Sequence, residues 1–160
     1  MKHLDIQSND IVADLGAGNG YFTIPAAKMT KSNVLAVDIE PYMLELLEKR
    51  ANKFQIKNIE YIESDLDKIQ LDSKSVDKVI VSFVIHEVTS IENTLNEIRR
   101  ILKPGGKALI IEWEAIETEN GPPFHERIPS KELLKIVKQH GFEAKVLTLN
   151  EANYGIVLQV

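Results

Sequence analysis

The chain has 160 residues, 19 of them basic and 24 acidic, for a formal net charge of -5, so no general positive field gathers phosphate backbones and nucleic acid is a poor partner. It contains no cysteine, which removes disulfides, thiolate metal sites and a cysteine nucleophile together. The longest apolar run, 79–85, is interrupted by Ser82 and is too short to span a bilayer.

No charged, apolar, small-residue leader is apparent, and no composition shift marks a linker. The expectation is one cytoplasmic domain over residues 1–160. About ten residues precede the first strand, which leaves little or no N-terminal helical cap.

Apolar, β-branched runs of strand length alternate with segments of helical period, the pattern of an α/β protein whose parallel sheet is covered on both faces. Residues 11–15 form the first strand. A glycine loop follows, then a helix over about 21–29 carrying Phe22, Ile24, Ala26 and Ala27, with Pro25 tolerated near its start. "NVLAVDIEP" is a second strand ending at Asp38, and Pro41 opens a helix with Leu44, Leu47, Ala51 and Phe54 on one face.

"NIEYIESD" and "VDKVIVSFVI" are the third and fourth strands, the latter apolar enough for the centre of a sheet. Thr89 with Glu92 predicts a capping box for a helix carrying Ile91, Leu95, Ile98 and Leu102, stopped by "KPGG". "KALIIEWE" is the fifth strand. Pro129 and Ser130 start a last helix, and Gly141 ends it as a left-handed cap. "EAKVLTLN" and "YGIVLQV" are separated too closely for a parallel crossover, so the last strand runs antiparallel to its neighbour.

The loop "ADLGAGNGYF" carries Gly16, Gly18 and Gly20. A dinucleotide fingerprint places its third glycine one residue later, where Tyr21 stands. Asp14 beside the loop repels a diphosphate and suits an ammonium-bearing ligand. Asp38, at the next strand end, can accept both hydroxyls of a ribose, and Asp65, at the third, can accept from an exocyclic amine. Together they suggest a nucleoside with a cationic, amino-acid-like tail. Each feature has a plainer reading: a tight turn for the glycines, a helix cap for Asp38, a turn acid for Asp65 and core packing for Ser82 and Phe83.

These residues resemble the class I S-adenosylmethionine-dependent methyltransferases. "VADLGAGNGYF" looks like their first motif and "AVDIEPYML" like their second, and the likeness continues through "IESDLDKI", "VDKVIVSFVIHEV" and "IRRILKPGGKALIIEWE". "KPGG" and "GPPFHERIPSKELLKIVKQHGF" look most like the quinone-biosynthesis-like small-molecule group. The resemblance implies a Rossmann-like, mostly parallel seven-stranded sheet of order 3-2-1-4-5-7-6 with an antiparallel last strand. It also implies S-adenosyl-L-methionine as cofactor, its methionine part at Asp14, Gly16, Ala17 and Gly18, its ribose at Asp38 and its adenine between Ile39, Asp65 and Leu66. Ser82 and Phe83 would line the methyl-donor pocket.

Methyl transfer from a sulfonium needs alignment and desolvation, and a base only when the acceptor loses a proton. His86, just after the fourth strand, is the candidate base; capping a helix or bonding within the crevice wall is its rival role. Glu112 and Glu114 share one face of the fifth strand and could reach an acceptor, whereas Trp113 on the other face reads as core. Phe124, His125 and Arg127 in "GPPFHER" would form an acceptor wall or simply a surface loop. His3, His86, His125 and His140 lack metal-ligand spacing, so no metal is expected. "SFVI" departs from the motif of base- and glutamine-modifying enzymes, leaving a small organic methyl acceptor. A homodimer is the candidate source of a lid. A non-catalytic cofactor-binding module and a nicotinamide oxidoreductase are the alternatives.

Overall fold

A computed structural model describes residues 2–160. The chain alternates as expected through β1 (Val12–Leu15), α1 (Thr23–Met29), β2 (Val34–Asp38), α2 (Pro41–Lys53), β3 (Ile59–Glu63), β4 (Val76–Ser82), α3 (Ile91–Ile101), β5 (Leu102–Trp113), α4 (Ser130–Gln139), β6 (Glu143–Thr148) and β7 (Asn153–Gln159). The seven strands form one sheet of order β3-β2-β1-β4-β5-β7-β6. Strands β1 to β5 run parallel, and β7 is antiparallel to both β5 and β6. This is the order that the resemblance implies.

Every residue of β1 and β2 is buried, which follows from helices covering both faces. Side-chain alternation sorts the core. Ala13, Leu15, Val79 and Val81 pack with Leu95 and Ile98 of α3 and Leu133 and Val137 of α4. Val12 and Ile80 turn to the opposite face with Ala26 and Ala27 of α1, while Ala36 meets Leu44 and Leu47 of α2. Because the chain winds outward from β1 to β3 and then restarts at β4 on the other side of β1, a crevice opens above the carboxyl ends of β1 and β4.

Four local expectations change. The cap of α3 is Ser90, not Thr89: Ser90 Oγ accepts from the Asn93 N–H at 3.2 Å. Both residues are good caps, and the choice of Ser90 leaves Glu92 in the first turn, where it meets the helix dipole but closes no capping box. Phe54 leaves the apolar face of α2 and lies past its end, 52% exposed, with the Lys28 ammonium 4.7 Å from its ring centre. Trp113 is half-buried rather than core. "KPGG" lies within β5 as an irregularity. Five residues of β5 advance against two of β4 between the pairs Val76–Leu102 and Lys78–Lys107, and Gly105 takes φ +77° there. Gly141 does end α4 with φ +77°. Among the described residues, no helix is long and apolar enough to cross a membrane.

Candidate functional site

A cavity of about 360 Å³ occupies the crevice at the β1–β4 junction. Four strand-end segments wall it: Gly16 and Gly18 after β1, Asp38 to Glu40 with Met43 after β2, Asp65 and Leu66 after β3, and Ser82 to Val84 with Glu87 to Thr89 after β4. Of the residues singled out in the sequence, Gly16, Gly18, Asp38, Ile39, Asp65, Leu66, Ser82 and Phe83 are thus brought together. The sequence reading missed Glu40, Met43, Val84, Glu87, Val88 and Thr89 as wall residues; only their nearness in sequence to the strand ends could have suggested them.

The glycine loop turns tightly under β2. Gly16 and Ala17 both donate their N–H groups to the Val37 carbonyl, at 2.8 and 3.0 Å. All three loop glycines have positive φ, which side chains rarely adopt, but their surroundings differ. A Cβ on Gly16 would stand 2.9 Å from Val84, and one on Gly20 would overlap Leu47 Cδ1, whereas one on Gly18 would meet nothing within 4 Å. Gly16 and Gly20 therefore permit close packing with the β4 end and with α2. Gly18, a wall residue of the cavity, has open space beside it.

Asp38 is tied into this loop. Its Oδ2 accepts from the Gly18 N–H at 2.7 Å and its Oδ1 from the Glu40 N–H at 2.9 Å. A carboxylate has about four acceptor positions, so each oxygen keeps one for a further donor. Asp65 is exposed, and its Oδ1 accepts from the Asp67 N–H at 2.8 Å in an Asx turn. Ile39 is 59% exposed at the cavity mouth. Phe83 holds φ +56°, a left-handed conformation uncommon for a bulky residue, with its N–H donating to the Ile111 carbonyl at 2.8 Å.

Asp14 and Ala17 lie behind the wall rather than on it. Asp14 is buried, its Oδ2 accepting from Thr23 Oγ1 at 2.6 Å while its Oδ1 has no partner. Burial raises its pKa from 3.8 to about 7, with the Asp38 charge adding to the rise and the Thr23 hydrogen bond opposing it.

On the β5 side, the side chains of His86 and Glu112 are 4% and 2% exposed, and His86 Nδ1 stands 3.0 Å from both Glu112 carboxylate oxygens. Glu112 also accepts from the His86 and Trp113 backbone N–H groups, at 3.3 and 3.1 Å. Its oxygens are thus engaged by His86 and Trp113, and the role of acceptor contact expected for it gives way to a pairing with His86. The hydrogen bond to Glu112 raises the His86 pKa; burial opposes the rise, and the charges of Glu112, Glu87 and Glu126 favour it. His86 Nε2 faces Glu87 Oε1 at 3.7 Å.

Phe83 packs on Trp113 with ring centres 5.5 Å apart, and the Arg127 guanidinium lies 5.4 Å from the Trp113 ring centre. Arg127 is buried and donates to the carbonyls of Pro122, Ile116 and Asn120, so it ties down the loop after β5 instead of facing an acceptor. Phe124 and His125 are exposed in a 3-10 turn of that loop and stand outside the cavity wall. Among the described residues, no group of three or more His, Asp or Glu side chains is arranged to hold a metal ion.

A family profile described as "Methyltransferase domain" matches residues 13–110. The chain is similar to the demethylmenaquinone methyltransferase of Tropheryma whipplei, 33% identical over 112 residues that make up 70% of this chain and 45% of that protein. It is also 32% identical over 111 residues to the ubiquinone/menaquinone biosynthesis C-methyltransferase UbiE of Francisella tularensis subsp. novicida, covering 68% of this chain and 44% of that one. The chain therefore spans less than half the length of these curated relatives. The crystal structure of a SAM-dependent methyltransferase from Aquifex aeolicus superposes with a TM-score of 0.93 at 27% identity, over 99% of this chain and 86% of that one. With the sheet order, the strand-end cavity and the matched segment in agreement, the chain belongs to the methyltransferase-domain family of class I S-adenosylmethionine-dependent methyltransferases.

Proposed function

We propose that the chain transfers a methyl group from S-adenosylmethionine to a small organic acceptor of quinol type. The observation that carries this reading is one cavity walled at once by the glycine loop, Asp38–Ile39, Asp65–Leu66 and Ser82–Phe83. Its volume of about 360 Å³ lies in the range of about 300–1,000 Å³ usual for small-molecule sites.

The side chains suit the ligand's parts. The spare acceptor positions on Asp38 take the ribose hydroxyls, while the exposed face of Ile39 covers one side of the adenine. Asp65 accepts from the adenine amine beside the Leu66 backbone. Gly16, Ala17 and Gly18 let the methionine part approach the backbone, where Gly18 leaves open space. The unpartnered Asp14 Oδ1, buried behind the loop, is the polar atom an ammonium group satisfies, directly or through water. Ser82 and Phe83 line the methyl side. Bound there, the cofactor supplies an electrophilic methyl group on a sulfonium, and the protein's task is alignment and exclusion of water. Support for a quinol ring comes from the quinone-biosynthesis activities of the two bacterial relatives, of whose length this chain spans less than half. The reading extends to one domain over residues 1–160 working in the cytoplasm, with a second copy as the candidate lid, which sedimentation at working concentration checks.

Isothermal titration with S-adenosylmethionine and S-adenosylhomocysteine tests the cofactor. Micromolar binding of both is expected. No heat at millimolar ligand, together with a signal for NAD, overturns the reading.

A further inference from the structure

We propose that His86 and Glu112 form a proton-accepting dyad in which His86 Nε2 removes the acceptor's proton and Glu112 is the residue that positions the ring. The inference rests on the methyltransferase reading and narrows its substrate class to acceptors whose nucleophile loses a proton: a phenol-type hydroxyl or an activated ring carbon.

The geometry carries it. Glu112 is reached by three donors, His86 Nδ1 and the backbone N–H groups of His86 and Trp113. An ionised carboxylate only accepts, so in the neutral ring Nδ1 must carry the hydrogen and Nε2 must present its lone pair. His86 stands just behind the cavity wall, and its Nε2 faces Glu87, a wall residue whose side chain is 66% exposed and free to rotate aside. The strand pairing fixes this arrangement. Ser82 of β4 is in register with Ile111 of β5, so the residue after Ile111 meets the segment that leaves β4. Besides the two backbone N–H groups, the side chain that the buried Glu112 carboxylate holds is the His86 ring, whose orientation it fixes.

The charged groups around the ring are Glu112 from β5, Glu87 from its own segment and Glu126 from the turn before α4. All three favour the imidazolium that forms when the proton arrives. Tyr154, also close enough to feel the Glu112 charge, is committed to donating to the Ile128 carbonyl at 2.8 Å. In the step itself, the acceptor's nucleophile forms its bond to the methyl carbon as that carbon's bond to sulfur breaks, and the electron pair stays on sulfur. The acceptor's proton goes to Nε2, leaving an imidazolium paired with the Glu112 carboxylate.

Nitrogen-15 NMR of the histidines in the unliganded protein reads the dyad without turnover. Neutral His86 is expected to carry its hydrogen on Nδ1, to titrate above the ordinary 6.5, and to titrate lower in Glu112→Gln. A ring protonated on Nε2, or a midpoint unmoved by Glu112→Gln, overturns the proposal. Methyl transfer to reduced demethylmenaquinone, followed alongside S-adenosylmethionine titration, gives the second readout. His86→Asn and His86→Gln should lose about 10²–10⁴-fold in kcat while keeping cofactor affinity, which also shows that they fold. In Glu112→Gln the acid limb of the kcat profile should move to lower pH with a reduced plateau. Variants at His86 that keep more than half of wild-type kcat also overturn the dyad. Failure of the wild-type protein to bind the cofactor overturns the methyltransferase reading instead.

Discussion

The carboxyl edge of the sheet is built in two different ways on either side of the β1–β4 junction. Toward β2 and β3 the wall is largely backbone and short acids that retain unused bonding positions: the Gly18 surface faces empty space, Asp38 keeps spare acceptor positions, and Asp14 Oδ1 has no partner at all. Toward β5 and β7 the acids and Arg127 are engaged by the chain's own groups, although Asn153 Nδ2 at the start of β7 is buried without a partner. Glu112 holds His86, Glu114 holds the start of α4, and Arg127 holds three loop carbonyls. One half is a cradle that lacks its ligand's donors, and the other is a scaffold whose acids are held by its own donors. The unsatisfied groups of the first half cost stability in the free protein, which a ligand can return as binding energy.

Asp14 offers the largest way to break that contrast. Its carboxyl has a pKa of about 7 in the folded chain against an ordinary 3.8, so between these values the folded state holds a proton that the unfolded state has released. The group's contribution to stability therefore declines as pH rises from about 4 to about 7, and its full penalty is present above that. A shift of this size is on the order of 4 kcal/mol. Urea melts of wild type and Asp14→Asn from pH 4 to pH 8 should show the difference moving in favour of the variant as pH rises. Parallel curves would mean that the donor half is as satisfied as the other.

The loop glycines sharpen the contrast within the donor half. Gly20→Ala places a methyl group into Leu47, which is fully buried in α2, at a residue with φ +86°. The expected loss is about 1–3 kcal/mol of folding stability, read by thermal melting. Gly18→Ala has no neighbour to strike in the free chain, so its folding cost is the left-handed backbone alone, about 1–2 kcal/mol. Because Gly18 lines the cavity, the added methyl group is expected to crowd the ligand and weaken S-adenosylmethionine binding by at least about fivefold. If Gly18→Ala binds as wild type does, the open space at that glycine is not the ligand's.

The difference between the halves also explains what could be read from the chain and what could not. The donor half is local: "DLGAGNG" and Asp38 lie within 25 residues of one another, and strand periodicity alone brings their ends to one edge. The seven strands are accessible in that way, while their order and the roles of the eight wall residues come from the resemblance to the methyltransferases. The other half depends on pairs distant in sequence. His86 meets Glu112 and Glu114 meets Ser130 only once β4 and β5 are in register and the loop after β5 has returned, and no periodicity encodes that return. Leu47 against Gly20 is hidden for the same reason. The Thr89-to-Ser90 shift is of another kind, since two adjacent hydroxyl residues can each cap the helix and Ser90 takes the place.

Glu114 tests the closed half at the smallest scale. No side chain of its own caps α4, whose preceding residue is Pro129, and the Glu114 carboxylate supplies the missing acceptor from outside the helix. Its Oε1 accepts from the Ser130 N–H at 3.0 Å and the Ala115 N–H at 3.1 Å. Burial works to raise its pKa, but the hydrogen bonds from Ser130 and Ala115 and the Lys131 charge together hold it below the ordinary value. A depressed carboxyl pKa stabilises the fold above the unfolded value, and that contribution is lost as pH falls through the folded one. Glu114→Ala should therefore cost about 1 kcal/mol near neutral pH, the usual worth of a cap, and the two proteins should converge in strongly acid melts. Because the carboxylate bonds to the start of α4 and not to the cavity, S-adenosylmethionine affinity should stay as in wild type. A loss of affinity without a loss of stability would instead make Glu114 part of the ligand's wall and remove the division between the two halves.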